Sequence, residues 1–424
     1  MSPTNWDRFR LSRLGPDNRY VIHYAHRSRE GFRSDPCAAG RPLDLVPLDG
    51  VHSAAYVDVV AAGLDTAFAF YRRHLPGLTD RLPRPLHVYL LNLNSGADGL
   101  TWGLPSGPEI WLRNRYEEAA GPLVASKIKA TCAHELFHAH QAVCCPASLD
   151  GRRPWAWWGE ATATCMEGQI DPSNTEFLAF LYARLDTPGV STRNALRGYG
   201  DVLLCEFLLE RVGLEGILET WTRTPHPRDP AEAIDAALAR HGIPFGSTHG
   251  PDFFGSQFSL ALYSPDDPNF GFRTHGALYA SKPGRAFVSG VHEMGAGSLE
   301  FSSREWLLGL SADYNLVVVD KGLASVAMHI ECDGDIEGAG GSPPVKGVVV
   351  QVDGAGVRVA DPTEIALAEA PTGISPARVD AHPIYRGSAI IPIAPRTEEL
   401  LVVIVNPTYG DRERACYKYR VTVV

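Results

Sequence analysis

His134-Glu135-Leu136-Phe137-His138 lies within a stretch, Leu123 to Val143, that holds neither Gly nor Pro and therefore reads as one uninterrupted helix. Four residues make about one helical turn, so both imidazoles leave the same face, close enough to hold one metal ion. Glu135 stands beside them, placed to move protons on a bound water. The chain carries 15 histidines among 424 residues, so the surroundings of the motif decide its meaning.

Catalytic zinc takes three protein ligands and leaves its fourth position to water, so two histidines are an incomplete set. Beyond His138 the chain runs through Cys144-Cys145-Pro146, a polar loop from Ser148 to Pro154, and then Trp155-Ala156-Trp157-Trp158-Gly159-Glu160-Ala161-Thr162-Ala163-Thr164-Cys165-Met166-Glu167. That run reads as a second helix, with Glu160 early in it and Glu167 seven positions on, two turns along the same face. A short loop between two helices can bring Glu160 against the imidazoles as a third ligand, and Glu167 can accept a hydrogen bond from a ligating histidine. The competing reading of Glu160 is an exposed carboxylate favoured by the dipole at a helix start.

These residues resemble a family. H-E-x-x-H followed by W-x-x-E-(G/A)-x-A, with another Glu seven residues later, is similar to the gluzincin zinc metallopeptidases. The longer strings His134 to Gln141 and Trp157 to Glu167 also resemble a group of uncharacterised bacterial proteins taken to be metalloproteases. Arg19 to Tyr24, Ala55 to Ala62 and Leu310 to Tyr314 look like further landmarks of that group. The resemblance implies a zincin-like fold, one Zn2+ per chain on His134, His138 and Glu160, and Glu135 as general base. Metzincins place Gly and a final His where this chain has Gln141 and Cys144, so a Cys144 thiolate is the weaker third ligand.

A formal net charge of −10 with no long Lys/Arg cluster argues against nucleic acid or an anionic membrane as partner. No apolar run suggests membrane insertion, and Met1 to Arg10 lacks the apolar centre of a secretory signal, which points to the cytoplasm or a non-classical export route. Among the eight cysteines, Cys332 and Cys416 are the pair that could bridge two C-terminal strands.

The expected class is α+β: a metallopeptidase domain over 1–263, with metal helices at about 123–143 and 155–169, a 264–297 linker rich in Pro, Gly and Asp, and a β-sandwich over 298–424. Within the first domain Arg19 to Tyr24 and Leu86 to Leu93 read as strands, and Ala54 to Arg73 as an amphipathic helix. Gly200 to Val212, Leu214 to Thr222 and Pro230 to His241 read as further helices, as does Thr175 to Leu185. Glu109, Ile110, Trp111, Leu112 and Arg113 read as an exposed edge strand that could hold a substrate backbone through its N–H and C=O groups. Tyr199 is a candidate phenol donor to an oxyanion, with packing at a helix start as the alternative. The expected activity is hydrolysis of a peptide or protein substrate, with oligomeric state open. The rival expectation is a non-catalytic or latent zinc-containing binding protein whose β-sandwich recognises a protein or glycan.

Overall fold

The structure is a computed structural model. It describes residues 11–24, 53–91, 93, 97–104, 106–113, 122–145, 155–174, 177, 180, 199–222, 230–242, 261–262, 288–294, 297–303, 307–308, 311–335, 346–355, 358–369, 384–406 and 414–424. The class is α+β, with helices and three sheets. The chain divides into two compact units, 1–181 with 198–206 and 217–230, and 182–197 with 207–216 and 231–424. No helix among the described residues is long and apolar enough to cross a membrane.

The first unit is built on a five-stranded sheet. Its strands are β1 (Leu11–Leu14), β2 (Tyr20–Tyr24), β3 (Leu86–Leu91), β4 (Gly99–Leu104) and β5 (Gly107–Arg113), in the order β1-β2-β3-β5-β4. β2, β3 and β5 run parallel, while β1 and β4 are antiparallel edges. Tyr20, Ile22, Leu86, Val88, Leu90, Ile110 and Leu112 alternate along the three inner strands and are buried on one face. The helix α1 (Ser53–His74) crosses from β2 towards β3 and covers that face, with the Tyr20 hydroxyl donating to Ala61 O at 3.2 Å. A one-turn helix, α2 (Pro76–Thr79), follows it.

The two helices of the motif are α3 (Pro122–Cys144) and α4 (Ala156–Ile170). α3 is buried on nearly every side, as Ile128, Cys132, Ala133, Leu136, Phe137 and Ala139 record, which is the pattern of a core helix rather than a surface one. Gly63 of α1 lets the two helices approach closely, since a Cβ there would sit 3.1 Å from Cys132 Sγ. α4 is seated by Trp157 and Trp158, both fully buried, and Trp158 Nε1 donates to Thr220 Oγ1 at 2.9 Å. Burying each such large side chain stabilises the unit by roughly 1.5–3 kcal/mol. α5 (Val202–Thr222) joins two stretches read separately in the sequence, and Gly213, with φ 71°, marks the break within it. α6 (Pro230–Arg240) follows. Thr175 to Leu185 falls largely outside the described residues.

The second unit carries a β-sandwich. One sheet orders β13 (Ala368–Glu369), β14 (Ile384–Pro392), β10 (Ser325–Asp335), β16 (Arg414–Val423) and β7 (Ser298–Ser302), with β8 (Leu307–Leu308) also on β16. The other orders β12 (Thr363–Ile365), β11 (Lys346–Val352), β15 (Glu399–Asn406), β9 (Ser311–Val318) and β6 (Val288–Glu293). Val326, Met328 and Ile330 of the first sheet and Val349, Val402 and Ile404 of the second share one apolar core. β15 is buried on both faces, which is why Leu400 to Val405 is continuously apolar instead of alternating. β6 begins at Val288, inside the stretch read as linker. Cys332 lies opposite Tyr417 while Cys416 lies opposite Asp333, so the two thiols point to opposite sides of the sheet and do not bridge β10 to β16.

One expectation is overturned by the sheet order. Glu109, Ile110, Trp111, Leu112 and Arg113 belong to β5, which is paired to β3 on one side and β4 on the other, so it is not an edge. Leu104 lies opposite Gly107, so β4 runs antiparallel along β5 and takes the outer position. Among the described residues no strand pairs with the outer side of β4.

Candidate metal centre

α3 presents His134 and His138 one turn apart, with ring centroids 4.6 Å from each other, and α4 brings Glu160 across to both. Glu160 Oε2 lies 3.2 Å from His134 Nε2 and 3.5 Å from His138 Nε2. The ligand atoms of the three residues all fall within 4.8 Å of one another, a set that could hold a metal ion.

The far side of each imidazole is held by a side-chain oxygen, from the partly buried Glu167 for His134 and the buried Gln141 for His138. His134 Nδ1 lies 2.7 Å from Glu167 Oε1, and Asn174 Nδ2 donates to the other oxygen of Glu167 at 3.0 Å. His138 Nδ1 lies 2.6 Å from Gln141 Oε1. The Gln141 amide is itself oriented, because its Nε2 donates to Gly159 O at 3.2 Å and to Thr162 Oγ1 at 3.0 Å, both on α4. Each ring therefore donates from Nδ1 and presents Nε2 to Glu160.

Charge in this buried cluster is balanced among its own groups. Burial works against protonated imidazole, yet hydrogen bonds to Glu160 and Glu167 hold His134 well above the usual range, and Glu160 also raises His138. Burial would likewise raise Glu160, but His138 and His134 hold it well below an ordinary carboxylate. A dication among the three donors would take the place of those imidazole protons, so the donor set fits a divalent metal. The two-imidazole, one-carboxylate composition matches what zinc accepts with one position left for water.

Glu135 is buried but is not part of the donor set. The Thr101 hydroxyl on β4 lies 2.7 Å from Glu135 Oε2 and 2.9 Å from Glu135 O. Gly99 makes room for the carboxyl group, since a Cβ there would come within 2.5 Å of Glu135 Cγ and Oε1. Burial pushes the Glu135 carboxyl up, offset in part by His134, His138 and the Thr101 hydrogen bond. Tyr199 stacks on His134 with centroids 5.9 Å apart, and burial followed by the nearby Glu160 charge raises its phenol.

The structure thus brings together His134, Glu135, His138, Glu160, Glu167 and Tyr199, while β5 carries Glu109 to Arg113 inside the sheet. Three residues at this site escape a reading of the motif alone. Gln141 had a local signal, three positions after His138 on one helix. Gly99 and Thr101 had none, because a strand pairing brings them to Glu135.

No protein-family model matches the chain, and no curated protein does. Among solved structures it is similar to PliG, a periplasmic inhibitor of g-type lysozyme from Aeromonas hydrophila, at 13% identity and TM-score 0.16, over 32% of this chain and 97% of that one. It is also similar to CorA, a surface-associated copper-binding protein of Methylomicrobium album BG8, at 9% identity and TM-score 0.18, over 32% of this chain and 98% of that one.

Proposed function

We propose that this chain is a zinc-dependent peptidase of gluzincin type, with His134, His138 and Glu160 as metal ligands and Glu135 as general base. The observation that carries the reading is the orientation of both imidazoles: each Nδ1 is held by a side-chain oxygen, of Glu167 or Gln141, and each Nε2 faces Glu160. A structural zinc site closes its fourth position with protein and has no use for a carboxylate such as Glu135 beside the ligands.

Zinc, when bound, supplies Lewis acidity towards a carbonyl and lowers the pKa of a coordinated water towards neutrality. Glu135 would be the group that takes a proton from the attacking water and returns it to the leaving amine. Tyr199, kept a neutral donor by burial and by Glu160, with which its phenol shares a hydrogen bond, would be the donor to the oxyanion.

Backbone recognition falls to β4. Arg113 N–H donates to Asp98 O at 2.8 Å, and the alternation of an antiparallel ladder then makes Gly99, Thr101 and Gly103 the non-bonded positions opposite Leu112, Ile110 and Pro108. Their own N–H and C=O groups point outward, to the side of β4 that no described strand pairs, where an extended peptide would add.

The deciding experiment detects new N-termini by mass spectrometry in a denatured protein digest, comparing zinc-loaded wild type with Glu135→Gln. Cuts made by the wild type alone support the reading and give the cleavage preference. Zinc bound at one per chain with no cuts in either would reject it in favour of a latent or non-catalytic zinc protein.

A further inference from the structure

We infer that Thr101 is a positioning residue for Glu135, through which the open edge of the sheet sets the carboxylate of the base. The inference rests on the peptidase reading for its consequence in catalysis, but its structural content stands apart from it.

A glutamate side chain has three rotatable bonds, and a general base must hold one oxygen within hydrogen-bond reach of the water it deprotonates. α3 fixes the Glu135 backbone but not the carboxylate. Two features of β4 supply what the helix lacks. The Thr101 hydroxyl lies 2.7 Å from Oε2 and 2.9 Å from the Glu135 carbonyl, so it spans both ends of the residue. Gly99, the next residue on the same face of the strand, leaves open the volume that the Glu135 Cγ and carboxyl group occupy, with its missing Cβ 2.5 Å from Cγ. The carboxylate is thus bonded from one residue and admitted by another, two positions apart.

Thr101 also occupies a non-bonded position of the β4–β5 ladder, so its N–H and C=O face the open edge while its side chain faces Glu135. An extended segment pairing with β4 at Thr101 immobilises the residue that aims the base. Substrate docking and base alignment are one event at this position.

The test uses the full chain loaded with zinc and three variants, Thr101→Val, Thr101→Ser and Gly99→Ala. Val keeps the shape and removes the donor, whereas Ser keeps the donor. On a peptide cleaved by the wild type, Thr101→Val should lower kcat about tenfold or more with zinc content unchanged, the loss expected for a hydrogen bond to a charged group. Thr101→Ser should recover most of that loss, which a merely structural role for the Thr methyl would not allow. Gly99→Ala should lower kcat without loss of zinc. A Thr101→Val enzyme with wild-type kcat overturns the inference. If the wild type cleaves no peptide, the peptidase reading fails and crystal structures decide the inference alone. A Glu135 carboxylate displaced or split in Thr101→Val, but in place in wild type and Thr101→Ser, upholds it; one unmoved in all three overturns it.

Discussion

Gln141 and His138 are joined by a 2.6 Å contact between Oε1 and Nδ1, and the same glutamine donates to Gly159 O and Thr162 Oγ1 on the neighbouring helix. One buried amide therefore sets the ring of a candidate ligand and the spacing of α4, which carries Glu160. Acceptors of this kind also raise the basicity of the histidine they hold.

Gln141→Leu, which keeps the bulk and removes the hydrogen bonds, should weaken zinc binding about 10- to 100-fold. Competition against a chromophoric chelator measures it. Zinc affinity equal to wild type would show that the brace is irrelevant to the metal.

Glu160→Ala and Glu135→Gln should fail in opposite ways. The first removes a donor 3.2 Å from His134 Nε2 and should bind less than one zinc per chain; the second should keep one zinc and lose hydrolysis. Metal analysis after dialysis, run beside the peptide assay, separates them. A fully metallated Glu160→Ala protein would reject the third ligand.

Metal removal should lower stability by mass action. At free zinc about 100-fold above Kd, the holoprotein gains about 2.7 kcal/mol, so a chelator should lower Tm by a few degrees in wild type and hardly at all in Glu160→Ala. Scanning calorimetry with and without chelator checks this, and equal shifts in both proteins would place the metal elsewhere.

The outward groups of β4 predict the effect of Gly103→Pro. Gly103 pairs with Pro108 at a non-bonded position, so a proline there removes an outward N–H without breaking the ladder to β5. KM for a peptide should rise severalfold while Tm stays near wild type. Unchanged KM would remove this end of β4 from substrate binding.

His23 and His87 on adjacent strands share a contact of 2.9 Å between Nε2 and Nδ1. Burial first, and the neighbouring His87 second, hold His23 down to about 4 from an ordinary value near 6.5. The unfolded chain therefore takes up the His23 proton before the folded one does, so stability falls as pH drops from about 6.5 to about 4. Urea unfolding across that window should show a steeper fall for wild type than for His23→Gln. Parallel curves would mean that His23 titrates alike in both states.

Short-range pattern carried the helices of the site. Without Gly or Pro, the run from Leu123 to Val143 reads as the helix found over Pro122–Cys144, and the helix expected from Trp155 is found over Ala156–Ile170. The sandwich strands were legible where apolar runs were long, as in β11 and β15, and not where they were short, as in β12 and β13. β4 was missed because Gly99 and Gly103 dilute its strand signal, and its edge position was then assigned to its neighbour β5.

By itself the sequence determined the spacing of His134, Glu135 and His138 along one helix and the two-turn interval between Glu160 and Glu167, because helical geometry converts residue number directly into direction. Only the tertiary structure decided that Glu160 meets both imidazoles, that Gln141 braces α3 to α4, and that Thr101 reaches Glu135 from an open sheet edge. Those relations join segments 18 to 34 residues apart, and contacts at that range are set by how helices and strands pack, which no local pattern encodes.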